Sequence, residues 1–106
     1  MENKLSIVCV SDTREKLQMA AMVASVAAAS EKKVRVFFSM NSILHFVSGK
    51  NIEVPAEGEF ATLLTTEGVP EFKNLFQMAV ELGDVELLPC SMALELANIK
   101  EKAMSI

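Results

Sequence analysis

The chain has 106 residues, 51% of them hydrophobic, with a mean hydropathy of +0.32 and a net charge of -4. That is one domain with a single core. Its 10 basic residues are outnumbered by 14 acidic ones and lie scattered without aromatic partners, which argues against nucleic acid. The longest near-apolar stretch, Met19 to Ala29, is too short to span a bilayer. The first apolar run breaks at Ser11-Asp12-Thr13-Arg14, so no secretory leader is expected. Two cysteines with no nearby His or Cys form no metal framework, and in such a chain they read as reduced thiols. The expectation is a cytoplasmic protein without metal or cofactor. Its apolar excess implies buried subunit faces and hence an oligomer.

Lys4 to Val10 is β-branched and apolar on both sides, as in a central parallel strand, with Cys9 packed in its middle. Asp12 with Glu15 three residues later suggests a capping box for a helix reaching about Ser30. Leu17, Ala20, Ala21, Ala24, Ala27 and Ala28 repeat at helical spacing, and such small residues allow close approach to a sheet. Lys32 and Lys33 suit the helix's C-terminal end. Val34 to Phe38 is a second strand, and Ile43 to Val47 a short helix carrying the single His45. From Ser48 to Gly68 the pattern dissolves into a long loop with one apolar knot at Phe60 to Leu64.

Pro70 fits the first position of a helix with one face formed by Phe72, Leu75, Phe76, Ala79 and Leu82, ended by Gly83. Val85 to Leu88 is a third strand, and a last helix starts at Ser91 and continues to Ala97. The order predicts a three-layer α/β/α domain with a small, mostly parallel sheet of flavodoxin-like topology. With right-handed crossovers, the first strand is expected to lie between the other two. No phosphate-cradling glycine motif follows that strand, which excludes a nucleotide site of the common kind.

The chemistry concentrates at Cys90. With Pro89 it lies at a strand-to-helix junction, where unpaired amides and the helix dipole favour thiolate over thiol. Asp12, Ser39 and Asn41 are expected at the same sheet edge. Asp12 doubles as a helix cap, and Ser39 and Asn41 as turn residues. His45, the single histidine, is the candidate acid or base, or else a surface or interface residue.

Three stretches resemble the DsrE/DsrF-like sulfur-relay family. They are Ala27-Ala28-Ala29 through Val34-Arg35-Val36-Phe37-Phe38-Ser39, Gly68-Val69-Pro70 through Leu82-Gly83, and Leu87-Leu88-Pro89-Cys90-Ser91-Met92. The chain departs from the family pattern at Glu31 and Asn98, where glycines are common, and at Ala93, where many relatives have serine. The resemblance implies that Cys90 accepts a sulfane sulfur as a persulfide, flanked by Ser91 and Met92, and passes it to a partner thiol. It also implies sulfur donor and acceptor proteins and a homo- or hetero-oligomer, commonly of trimers or hexamers, with a homo-oligomer the expectation for this chain. The alternative is a non-enzymatic assembly module whose thiol is incidental or redox-sensing.

Overall fold

The structure, a computed structural model, describes residues 3–105. Strands β1 (Lys4–Cys9), β2 (Lys33–Phe38) and β3 (Val85–Pro89) form one parallel sheet in the order β1-β2-β3. The helices are α1 (Arg14–Ala29), α2 (Phe60–Leu64), α3 (Phe72–Leu82) and α4 (Ser91–Leu96), with a 3-10 segment at Met40–Phe46 and another at Glu101–Ala103. A small all-parallel sheet with packed helices is the expected fold class, consistent with the three-layer α/β/α family of architectures.

The strand order differs from expectation: β2, not β1, is central. Two successive crossovers that step in the same direction with the usual hand leave both their helices on one face of the sheet. Accordingly α1 packs along α3. The side-chain alternation follows. Leu5, Ile7 and Cys9, with Val34, Val36 and Phe38, point inward, whereas Ser6, Val8, Arg35, Phe37, Glu86 and Leu88 are exposed on the other face. Arg35 and Glu86 are cross-strand neighbours there, with Nε and Oε1 3.8 Å apart.

The core lies between the inner sheet face and the helices. Phe38 meets Phe46 at 4.6 Å and Phe76 at 5.3 Å between ring centroids, and Phe72 closes the cluster against Phe46. On α1 Leu17, Ala20, Ala21, Ala24 and Ala27 are buried, as their spacing predicts, and Ala28 is half-buried. The small side chains let α1 approach so closely that a methyl placed on Gly83 would sit 2.7 Å from Ala28 Cβ.

Local signals fared unevenly. The capping box does not form: Thr13 is the N-cap of α1, and the Glu15 carboxylate instead accepts the amides of Glu57 and Gly58. Two C-termini close through Schellman turns. Lys32 N–H donates to Ala27 O and Glu31 N–H to Ala28 O after α1; Ile99 N–H donates to Leu94 O and Asn98 N–H to Glu95 O after α4. Their left-handed residues are Glu31 (φ 63°) and Asn98 (φ 57°), the two positions where the family pattern favours glycine.

Lys33 thus opens β2 and does not cap α1. The helix expected at Ile43–Val47 is a 3-10 segment that starts earlier. Helix α3 begins at Phe72, not Pro70, because the Pro70 carbonyl accepts the Gln18 side-chain amide and Glu71 takes the N-cap. Leu82, expected on its buried face, is 81% exposed. The expected loop contains α2, whose Ala61 is buried.

Gly83→Ala has no room for its added methyl, since Ala28 Cβ is fixed to the α1 backbone. It should destabilise the fold by about 1–3 kcal/mol through overpacking, read as a lower urea midpoint with an unchanged denaturant slope.

Candidate functional site

The three strands end together, and the residues just past them form the site. The top of β2 is tied to both neighbours: Ser39 N–H donates to Cys9 O at 3.0 Å, and Cys90 N–H donates to Phe38 O at 2.8 Å. Ser39 is therefore carried on the central strand's exit, beside Cys90. Met40, the next residue, adopts a left-handed φ of 54° and starts the 3-10 segment. A non-glycine residue there stores backbone strain at the exit of the central strand. The Ser42 hydroxyl, buried beneath, lies 2.8 Å from Cys9 O and 2.6 Å from Ser39 O.

Cys90 is the N-cap residue of α4, extended at φ -71° and ψ 121°, and is partly exposed. Its Sγ makes no regular capping hydrogen bond, as befits a neutral thiol, a weak acceptor. The thiolate is another matter. The Ala93 amide first, then the Ser39 hydroxyl, and last the Met92 amide hold the thiol below its ordinary pKa, against an opposing contribution from desolvation. Ser91 and Met92 are exposed on the first turn of α4, and Asn41 is exposed on the 3-10 segment.

Cys9 behaves oppositely. It is the last residue of β1, not a mid-strand one, and it is buried. Burial pushes its thiol up, and the thiol donates to Ser11 O at 3.6 Å. The two cysteines are not on adjacent strands. With β2 between them the separation is two strand spacings, about 10 Å, beyond disulfide reach.

Asp12 and His45 form a second pair, at the β1 end. His45 is 1% exposed, and its Nε2 lies 3.1 Å from Asp12 Oδ2. Its Nδ1 is buried with no hydrogen-bond partner among the described residues. Asp12 is committed to this pair and caps no helix. Among the described residues no hydrogen bond or ion pair joins His45 to Cys90. The sequence reading missed this pairing. A lone buried histidine needs a carboxylate, and Asp12, the carboxylate between β1 and α1, was the one available nearby.

Among the described residues no group of three or more His, Cys, Asp or Glu side chains is placed to hold a metal, and no helix is long and apolar enough to cross a membrane.

Fold and site together define a class: an α/β domain presenting one thiol at the carboxyl edge of a parallel sheet. Residues 4–106 match the family model of the DsrE/DsrF-like family, so the chain belongs to that family, which is generally linked to sulfur relay. No curated protein matches the chain.

Two outcomes follow. Cys90 should alkylate faster than a free cysteine near neutrality. A lowered pKa means that the thiolate fraction rises at lower pH, so the rate–pH midpoint falls below that of a model thiol, and Ser39→Ala should move it back up. Iodoacetamide kinetics with peptide mapping reads both, and Cys9 should label only on unfolding. Separately, Asp12→Ala strips the buried His45 of its one hydrogen bond. It should cost about 1–3 kcal/mol in urea unfolding, more than loss of the exposed Lys16–Glu57 pair, worth about 0–1 kcal/mol.

Proposed function

We propose that this protein is a sulfur carrier whose Cys90 holds a sulfane sulfur as a persulfide. The observation that carries the reading is the place of Cys90: a partly exposed thiol at the N-cap of α4, beside the exit of the central strand to which its amide is bonded, where the Ala93 amide above all, then the Ser39 hydroxyl, favour the thiolate. Membership of a family linked to sulfur relay supports it.

The Cys90 thiolate attacks the outer sulfur of a donor persulfide. A new S–S bond forms, the donor's S–S bond breaks, and the donor leaves as thiolate. The product is Cys90–S–S⁻, stabilised by the same amides and hydroxyl. An acceptor thiolate then attacks that terminal sulfur, taking it and returning Cys90 as thiolate. No net oxidation occurs and no cofactor is required. Ser39, Asn41, Ser91 and Met92 line the approach. Asp12 and His45 brace the adjoining strand end, and a proton-transfer role for His45 would require it to reach the incoming sulfur.

The donor and acceptor are proteins in this reading. The setting is cytoplasmic, and the protein works as a homo-oligomer, a trimer or hexamer as the resemblance implies. An assembly module with an incidental thiol is the competing reading, favoured by the breadth of exposed apolar side chains.

Intact mass after treatment with a sulfane-sulfur donor tests the carrier. One sulfur should add per chain, be lost on reduction, and be missing in Cys90→Ser. If wild-type protein gains none, the assembly reading takes its place.

A further inference from the structure

Strand β3 is an edge of the sheet, so one side of its backbone has no strand beside it. The bonds to β2 show which residues face that way. Val34 N–H donates to Asp84 O, and Cys90 N–H donates to Phe38 O. Backbone groups alternate in direction along a strand, so Glu86 and Leu88 also face β2, whereas Val85, Leu87 and Pro89 face outward. Among the described residues no second strand and no loop backbone pairs with Val85 or Leu87. An open edge of this kind is a template for another strand, and proteins usually blunt it. Of the three outward residues only Pro89, which has no N–H, does so.

A groove of about 590 Å³ runs along the same edge, between β3 and α3. Phe46, Phe76, Val80, Val85 and Leu87 give it an apolar floor. Val85 and Leu87 therefore line the groove with their side chains and leave their backbone groups open beside it. Helix α3 returns into β3 through Gly83 and Asp84, so it runs opposite to the strand. Glu81 stands beside the start of β3, and Lys73 near its carboxyl end. The rise from Lys73 to Glu81 is about 12 Å, against about 13 Å from Val85 to Pro89. Both residues line the groove. Glu81 accepts the Gln77 side-chain amide at 3.3 Å, whereas Lys73 has no ion-pair partner among the described residues.

We infer that the free edge of β3 binds an extended segment of another protein as a fourth strand, with alternate apolar side chains in the groove and an acidic residue at the Lys73 end. The spacing selects a strand over a compact ligand. Val85 and Leu87 each present a donor and an acceptor, about 7 Å apart, and a chain of the same repeat meets both sets at once. A second copy suits this edge poorly. Two β3 strands related by a two-fold axis run antiparallel. With Val85 opposite Leu87 the ladder is complete, but Glu86 then stands directly opposite Glu86 of the second copy, a repulsive pair. With Leu87 opposite Leu87 of the second copy, Pro89 falls opposite Val85 and cannot donate.

The inference goes beyond the sulfur reading and stands whether or not Cys90 is reactive. Amide exchange and peptide titration, both followed by NMR on the full chain, test it. In the free protein the Val85 and Leu87 amides should exchange faster than those of Glu86 and Leu88. The probes are two acetylated, amidated peptides, each longer than β3 by one residue at either end and alternating valine with threonine. One begins with aspartate and ends with lysine; the other is reversed. One of the two should bind, slowing exchange at Val85 and Leu87 and shifting the Phe76 and Val80 resonances. N-methylation of alternate residues in that peptide should weaken binding at least about tenfold in one phase and little in the other, since one set of its amides faces β3. That arm leaves the protein unaltered. Val80→Glu should remove binding with an unchanged circular dichroism spectrum, and Lys73→Ala should erase the preference between the peptides. Three results overturn the proposal: Val85 and Leu87 amides as slow as their neighbours in the free protein, no binding of either peptide at about 1 mM, or equal weakening by both methylation phases.

Discussion

Two backbone hydrogen bonds at the top of β2 hold this molecule's arrangement together. Ser39 N–H reaches back to β1 through Cys9 O, and Phe38 O accepts the Cys90 amide leaving β3. Because parallel strands cannot be joined by a tight turn, each strand exit here is a separate piece of chain, and the central strand alone sets their relative heights. With those bonds made, a hydroxyl from one exit and a thiol from another become neighbours. Everything chemical about Cys90 descends from that register and from the start of α4 beneath it.

The single-faced stacking of α1 and α3 is the packing counterpart of that register. A stripe of alanines and one glycine bring the two helices and the start of β3 close together, and the phenylalanine cluster fills the space that the small residues leave. The arrangement frees the opposite face of the sheet and the outer side of α1. A small domain that exposes so many large apolar side chains has organised its core and still has apolar surface to cover.

Much of this was legible in the sequence. The strand and helix order, the buried alanine stripe and the junction cysteine follow from periodicity and from Pro89, signals that act over a few residues. The strand order was not legible by the same means, because alternative packings satisfy the same right-handed crossovers. A clue lay in the alternation of Lys4, Ser6, Arg35 and Glu86, polar residues that mark one face of the sheet as open. Reading Lys4 to Val10 as apolar on both sides passed over it. The capping box failed for a different reason. Asp12 and Glu15 have the right spacing, but each found a stronger distant partner, His45 and the Glu57–Gly58 backbone. Such contacts span more than 30 residues and leave no local trace. The Asp12–His45 pair stayed hidden on that account, whereas Cys90, whose surroundings are mostly its own next three residues, did not.

The unequal placement of the two thiols fixes the redox arithmetic of the chain. Cys9 lies sealed at a strand end with β2 interposed, so Cys90 has no internal sulfur with which to pair. Any bond that Cys90 makes to sulfur is made with a different molecule and must be undone by one. Each copy therefore has a single sulfur valence to trade, and what it takes on it can discharge only by meeting someone else.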